Sequence, residues 1–268
     1  MPFFDGATGR VYYRHWSLPQ ARAGLVFLHG FGEHSGLYHR YAAELATHGI
    51  ELWALDEIGH GLTVGQRGHF GSFEDLVANA RSLTALARSE SPHLPLVVGG
   101  HSLGSLVAVL SALEEPSAYV GAVVSGAPLA PLEWLAEVVS SPGGTLDLDP
   151  EGLSSDPFYL DQLEHDPLAF TSGDVVAILA ASFPAVWQRL DTDLEGLAVP
   201  LLAVHGEDDQ VAPLTGVVAW RDRLPQLEIE VVEGAGHDVL NEVAHTRVAD
   251  AVAAFVLAQS SVPAGVGA

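Results

Sequence analysis

The stretch LPLVVGGHSLGSLVAVLSAL, residues 94–113, decides the fold. An aliphatic run, Leu96–Gly99, leads directly into Gly100-His101-Ser102-Leu103-Gly104, and an apolar helical pattern, Leu103–Leu113, follows without a gap. Taken alone, the G-x-S-x-G pattern carries little weight. Its setting carries much more. A serine on a tight turn between strand and helix projects its Oγ from the top of a sheet, and the glycines let that turn pack closely. The amino end of the helix then favours negative charge beside the oxygen. Ser102 is therefore the candidate nucleophile.

Working outward, short apolar runs alternate with amphipathic stretches. Strands are expected at Val11–Trp16, Leu25–His29, Leu52–Asp56, Leu96–Gly99, Val120–Ser125, Leu201–His205 and Glu228–Val232. Helices are expected at Tyr38–His48, Phe73–Ser89, Leu103–Leu113, Thr215–Leu224 and Glu242–Leu257. Most of the strands are near-continuous apolar runs, the pattern of parallel strands covered on both faces. The alternation implies βαβ units and an α/β fold, with a mostly parallel central sheet and helices on both faces. After Pro128 the alternation lapses. Residues 129–196 read as irregular and helical, with a Ser-Pro-Gly-Gly run and several Asp-Pro steps, and regular alternation resumes at Val199. The expected organisation is a core of 1–128 and 197–268, with 129–196 inserted as a helical cap over the carboxyl edge of the sheet, where such sheets bind ligands.

The 268-residue chain is long enough for one large core plus a modest insertion. Its formal charge is −23, and all 11 basic residues are Arg. Such a surface repels nucleic acid and anionic lipid, so neither is an expected partner. Cys is absent, which excludes disulfides and thiolate metal sites. The opening MPFFDGATGR has neither the basic nor the apolar region of a secretory signal, and no apolar run is long enough to span a bilayer. A soluble, cytoplasmic protein is expected, meeting lipid surfaces only transiently. The tail from Ser260 reads as frayed.

A serine hydroxyl needs a base to take its proton. Gly234-Ala235-Gly236-His237-Asp238 directly follows the strand expected at Glu228–Val232, so His237 can reach over the sheet edge as that base. The base needs an acid to hold its tautomer. The strand Leu201–His205 leads into Gly206-Glu207-Asp208-Asp209-Gln210-Val211, and spacing alone does not separate Asp208 from Asp209. The oxyanion of a tetrahedral intermediate needs donors. The backbone N–H of Leu103 is one; that of Phe31, in the turn His29-Gly30-Phe31-Gly32-Glu33-His34, is the other. His29 and His205 each end a strand and read as structural, and His245 is a reserve base. The backbone direction at His101 is expected to turn its ring away from the nucleophile. His29, Glu33 and His34 match no H-E-x-x-H pattern, so no metal is expected, and the chemistry needs no cofactor.

Five ordered segments together resemble the monoacylglycerol lipase and lysophospholipase-like branch of the α/β-hydrolases. HGFGEHSGLYHRY, from His29, is similar to that family's H-G-x-G-E-H-S-x-R-Y. Asp56-Glu57-Ile58-Gly59-His60-Gly61-Leu62-Thr63, running on to Gly65-Gln66-Arg67-Gly68, is similar to its D-x-x-G-H-G-x-S-x-G-x-R-G. GGHSLGS resembles its elbow G-G-H-S-M-G-G, HGEDDQVAP its acid loop H-G-x-x-D, and GAGHDVLNE its base loop G-x-x-H-x-x-x-N-E. The resemblance spans nearly the whole chain, is weakest in the cap, and favours Asp209 as the acid. It implies an α/β-hydrolase fold and a small, lipid-derived ester as substrate. It further implies an apolar cap channel for one acyl chain, which Leu129, Trp134, Leu135, Val138, Ile178 and Phe183 could line; Gly30 and His101 join them as candidate substrate contacts. Leu37 stands where the family usually has Arg, Thr63 where it has Ser, Glu57-Ile58 for a His-x pair, and Ser105 for the second elbow Gly. Some of these departures are expected near the pocket rim. Short-chain carboxylesterase, thioesterase and transacylase activities use the same acyl-enzyme and stay open, because fold likeness does not settle substrate. A silent binding scaffold would usually lack a triad member or an oxyanion glycine, and all are present.

Overall fold

The computed structural model describes residues 2–140, 145–173 and 175–261. The Ser-Pro-Gly-Gly run at 141–144 and the tail beyond Ser261 lie outside the described residues. In chain order the elements begin β1 (Phe3–Gly6), β2 (Gly9–Trp16), β3 (Ala23–Leu28), α1 (His39–Thr47), β4 (Ile50–Leu55), α2 (Phe73–Glu90), β5 (Leu96–His101), α3 (Leu103–Glu114) and β6 (Gly121–Ser125). Then come α4 (Glu133–Ser140), β7 (Leu146–Asp147), α5 (Pro150–Leu153), α6 (Pro157–His165), β8 (Ser172–Gly173) and α7 (Val176–Asp193). The chain returns to the sheet with β9 (Leu201–Gly206), α8 (Thr215–Val218), β10 (Leu227–Val232) and α9 (His245–Ser260).

Eight strands form one sheet in the order β1-β2-β4-β3-β5-β6-β9-β10. β1 and β2 are antiparallel; from β4 to β10 all neighbours are parallel. Leu28 pairs with Gly100, Gly100 with Val124, and Gly206 with Val232. The loops after β3, β5, β9 and β10 therefore leave the sheet at one edge. Period-two alternation sends successive side chains to opposite faces. Val26, Leu28 and Val98 join α2 and α3 in one core, whereas Leu25, Phe27 and Val97 join α1 and α9 in the other.

Each expected strand is present. The hairpin strand β1 is additional, and so is the pair β7–β8, whose elements are two residues each. Two expected helices differ. At Thr215–Leu224 only the first four residues are α-helical, and the rest tightens into i→i+3 bonds such as Arg221 N–H to Val218 and Arg223 N–H to Trp220. Gly216 weakens the first turn, and Pro213 and Pro225 bracket the segment. The last helix starts at His245 rather than Glu242. The Glu242 carboxylate is committed elsewhere, accepting from Ser155 N–H at 2.9 Å and Ser155 Oγ at 2.6 Å.

Two of the three Asp-Pro steps between β6 and β9 are helix starts, and the third, Asp166-Pro167, follows the end of α6. Asp149 accepts from Glu151 N–H and Asp156 from Phe158 N–H, each followed by a proline at the first helical position, where its missing N–H costs nothing. This region is tied to the strand-end loops. Phe170 N–H donates to Gly32 O (2.9 Å), Asp238 N–H to Leu153 O (2.8 Å), and Arg40 pairs with Asp156 (3.0 Å). No helix among the described residues is long and apolar enough to cross a membrane.

Candidate active site

β5 ends at His101 and α3 begins at Leu103, so Ser102 is the whole turn between them. Its φ of 50° and ψ of −116° make it the one non-glycine residue of positive φ among the described residues. Backbone strain of this kind persists only where the surroundings over-determine it. The two elbow glycines supply that constraint. A Cβ on Gly100 would lie 2.1 Å from Gly104 O, and one on Gly104 would lie 2.0 Å from Leu28 O. Ser102 N–H is held by Ser125 O at 2.9 Å. Ser105 explains one departure from the family pattern: its hydroxyl is within reach of Gly100 O (3.0 Å) and Ser125 O (2.9 Å), tying the elbow to β6.

His237 Nδ1 lies 2.8 Å from Asp209 Oδ2, and both groups are buried. Beside a carboxylate Nδ1 carries the proton, which leaves Nε2 free to accept one. This contact separates Asp209 from Asp208, whose side chain is exposed. Asp209 Oδ1 also accepts from Val211 N–H (2.9 Å) and Ala212 N–H (2.8 Å), and His205 Nε2 stands 3.1 Å from Oδ2. Burial pushes the Asp209 carboxyl up, but the His237 charge and the hydrogen bonds from His205 and His237 outweigh it, holding the group far below the usual carboxylate range. His245 lies instead against Glu44 on α1.

Ser102 opens onto two small cavities. One, of about 30 Å³, is lined by Glu33, His101, His237, Asp238 and Tyr159, by Gly30 and Phe31, and by the apolar Leu148, Leu153, Leu163 and Phe170. The other, of about 40 Å³, is lined by Phe31, Leu103, Trp134, Leu135, Leu148 and Phe183 among other apolar residues. Of the expected substrate contacts, Gly30 and His101 line the first cavity, and Trp134, Leu135 and Phe183 the second. Leu129, Val138 and Ile178 line neither: Val138 and Ile178 pack against the core on the α2–α3 side, and Leu129 faces an outer groove. Sequence reading missed Leu132, Leu146, Leu148, Leu179 and Val211, which have no local signal beyond being apolar.

The ring of His101 does not turn away from the site. Its centroid is 4.6 Å from that of His237, and its Nδ1 is 3.1 Å from Ser125 Oγ. Burial lowers its pKa to about 4, so it is neutral. Nor is Glu33 part of a group with His29 and His34. His29 is buried, with Nε2 accepting from Glu57 N–H, and His34 bonds Asp166. The ligand atoms of Glu33, His101 and Asp238 lie within 4.8 Å of one another. Glu33 is already committed to protein donors, accepting from Gly30 N–H (2.7 Å), Tyr38 (2.5 Å) and Tyr159 (2.8 Å). Burial and the Asp238 carboxyl push Glu33 well up; on Asp238, burial's upward push is outweighed by His101 and the hydrogen bond from Glu33.

The other departures are internal. Leu37 is fully buried in the α1–α9 core, and Thr63 keeps a hydroxyl role, donating to Asp56 O (2.7 Å) and accepting from Tyr12 N–H (2.9 Å). Neither lines a cavity at Ser102.

An eight-stranded, mostly parallel sheet with a strained serine at its elbow and a bonded His-Asp pair beyond later strands defines an α/β-hydrolase. The family model described as serine aminopeptidase, S33, matches residues 19–244, and the chain belongs to that family. It is 29% identical to the monoacylglycerol lipase of Mycolicibacterium smegmatis over 95% of both chains. It is 28% identical to human monoglyceride lipase, over 91% of this chain and 88% of that one. The crystal structure of Paleococcus ferrophilus monoacylglycerol lipase superimposes with a TM-score of 0.78 at 27% identity, covering 93% of this chain and 99% of that chain.

Proposed function

We propose that the chain is a serine hydrolase that cleaves the ester bond of monoacylglycerols, with Ser102, His237 and Asp209 as its triad. The observation that carries the substrate class is the difference between the two cavities at Ser102: one brings Glu33, His101, Tyr159, His237 and Asp238 in among its apolar residues, whereas the other has apolar residues alone around Ser102. An ester joining a small polyol to an acyl chain matches that difference. The similarity to monoacylglycerol lipases supports the same reading.

In this mechanism Ser102 Oγ attacks the ester carbonyl as His237 Nε2 takes its proton, while Asp209 fixes the ring and stabilises the imidazolium. The oxyanion is held by the N–H groups of Phe31 and Leu103, where losing one such donor costs about 3–4 kcal/mol of barrier. His237 returns the proton to the departing alcohol. Water, deprotonated by the same nitrogen, then hydrolyses the acyl-enzyme. Residues 129–196 act as the cap that encloses the acyl side.

A hydrolysis panel of monoacylglycerols, diacylglycerols, lysophospholipids and simple esters under one condition tests the reading. Monoacylglycerols should give the highest kcat/KM, and a higher value for simple short esters would replace the reading with that of a short-chain carboxylesterase. The small size of the apolar cavity, about 40 Å³, is the observation that favours this second reading.

A further inference from the structure

We infer that Trp134 is the gate that sets which acyl lengths the enzyme accepts, and that the far end of a long acyl chain lies in a groove on the outer side of that indole. The inference rests on the ester-hydrolase reading above. The apolar cavity beside Ser102 is about 40 Å³. A site for one water needs roughly 10–15 Å³ on this measure, so the cavity has room for only a few water-sized groups. It cannot hold more than the first carbons of an acyl chain. A groove of about 430 Å³ lies immediately outside. Pro128, Leu132, Trp134 and Ala212 line both spaces, so a single layer of side chains divides them.

Trp134 is the largest of these four. Its indole N–H donates to Val211 O at 2.7 Å, and Val211 N–H in turn donates to Asp209 Oδ1 at 2.9 Å. The ring is thus pinned in the wall by the loop that carries the acid. The indole is half-buried, so when the ring moves its N–H can exchange that hydrogen bond for one to water. The outer groove offers a hydrocarbon chain one apolar strip, Leu129, Ala130, Pro131 and Pro213, beside the polar Glu133, Glu137, Gln210 and Thr215. Leu129, which is absent from the inner cavity, lines this continuation of it.

The test is a p-nitrophenyl ester series from two to sixteen acyl carbons, run on wild type, Trp134→Ala, Trp134→Phe and Leu132→Ala. A fluorophosphonate probe counts competent active sites in each. The ratio of kcat/KM for the twelve-carbon to the four-carbon ester should rise by about tenfold in Trp134→Ala, the scale set by opening an apolar pocket. Trp134→Phe, which leaves a smaller ring without the bond to Val211, should rise less, and Leu132→Ala should move the same way. An unchanged ratio, or an equal loss at every length in probe-labelled protein, overturns the inference while leaving the hydrolase reading intact. If Trp134→Ala takes up no probe, the ratio in Leu132→Ala decides on the same terms. Wild-type protein that neither reacts with the probe nor hydrolyses any ester overturns the parent reading instead.

Discussion

The two sides of Ser102 are built by different means. On the polar side, Glu33, His101, His237 and Asp238 sit at or within a few residues of strand ends, and hydrogen bonds or ring contacts fix them. On the apolar side, Leu132, Trp134, Leu146 and Phe183 come from separate stretches between β6 and β9, joined mainly by packing. Directional bonds hold an atom to a few tenths of an ångström, which proton transfer requires. Packing holds a shape, which a hydrocarbon chain requires. The polar side should therefore fail sharply on single changes, and the apolar side should shift its preferences.

Ser102→Ala gives the largest expected effect, a loss of about 10⁶-fold in kcat, the size seen when a triad acts as a unit. Near-wild-type hydrolysis of p-nitrophenyl butyrate by that variant would remove Ser102 from the mechanism. Asp209→Asn comes next. An amide has no negative charge for the imidazolium and no longer fixes the His237 tautomer, so kcat should fall about 10⁴-fold with the fold retained by circular dichroism. The apolar side supplies the control: Leu179→Ala should alter the chain-length profile more than the rate on its best ester. If Leu179→Ala and Asp209→Asn cost similar amounts on every ester, the contrast between the two sides is wrong.

The same contrast decides what could be read from sequence. The Ser102 turn and the loop that brings His237 to Asp209 were legible because certain residue types stand immediately after a strand. Asp209 needed the family resemblance to stand apart from Asp208 on a shared loop, and its bond to His237 separates the two in space. The lining of the apolar side was half legible. Trp134 and Val138 lie one turn apart on the same face of α4, yet only Trp134 reaches the cavity, because distant elements set which end of the helix meets it. β1 escaped notice because its four residues run straight into the Gly6–Gly9 turn, too short for a periodic signal. The direction of the His101 ring was misjudged for a related reason. Its backbone neighbours the nucleophile, but Ser125, on the adjacent strand, holds the ring beside His237.

Glu57 is the carboxylate of these loops with both oxygens buried and unpartnered among the described residues. Its neighbour Asp56 accepts from Ser35 N–H (2.8 Å), Ser35 Oγ (2.5 Å) and Leu62 N–H (2.8 Å). Glu57 is equally buried, yet neither of its oxygens has a hydrogen-bond partner among the described residues. Burial and the Asp56 carboxylate push its pKa from 4.5 up to about 8. Between those values the unfolded chain releases a proton that the folded chain keeps, so Glu57 lowers stability progressively as pH rises through the interval. Glu57→Gln does not titrate. Its stability relative to wild type should therefore improve between pH 5 and pH 8, by an amount on the order of a few kcal/mol. Melting temperatures at the two pH values read this directly, and a difference independent of pH would show that Glu57 ionises normally.

The smallest effect should come from Tyr159, which with Leu163 brings α6 to the cavity beside Glu33. Its hydroxyl donates to Glu33 Oε1 at 2.8 Å, while Tyr38 and Gly30 N–H supply Oε2. Tyr159→Phe removes one donor of three and leaves the ring in place, a change worth about 0.5–1.5 kcal/mol. An alcohol that bonds to this cavity should feel that loss, whereas p-nitrophenolate has no hydroxyls to place there. The ratio of kcat/KM for a monoacylglycerol to that for the p-nitrophenyl ester of the same acyl chain should therefore fall about two- to tenfold, the equivalent of one such bond. Changing the acyl length should leave the size of that fall unaltered, because the chain occupies the other side of Ser102. A fall that grows with acyl length would mean that the two cavities are coupled rather than separately built.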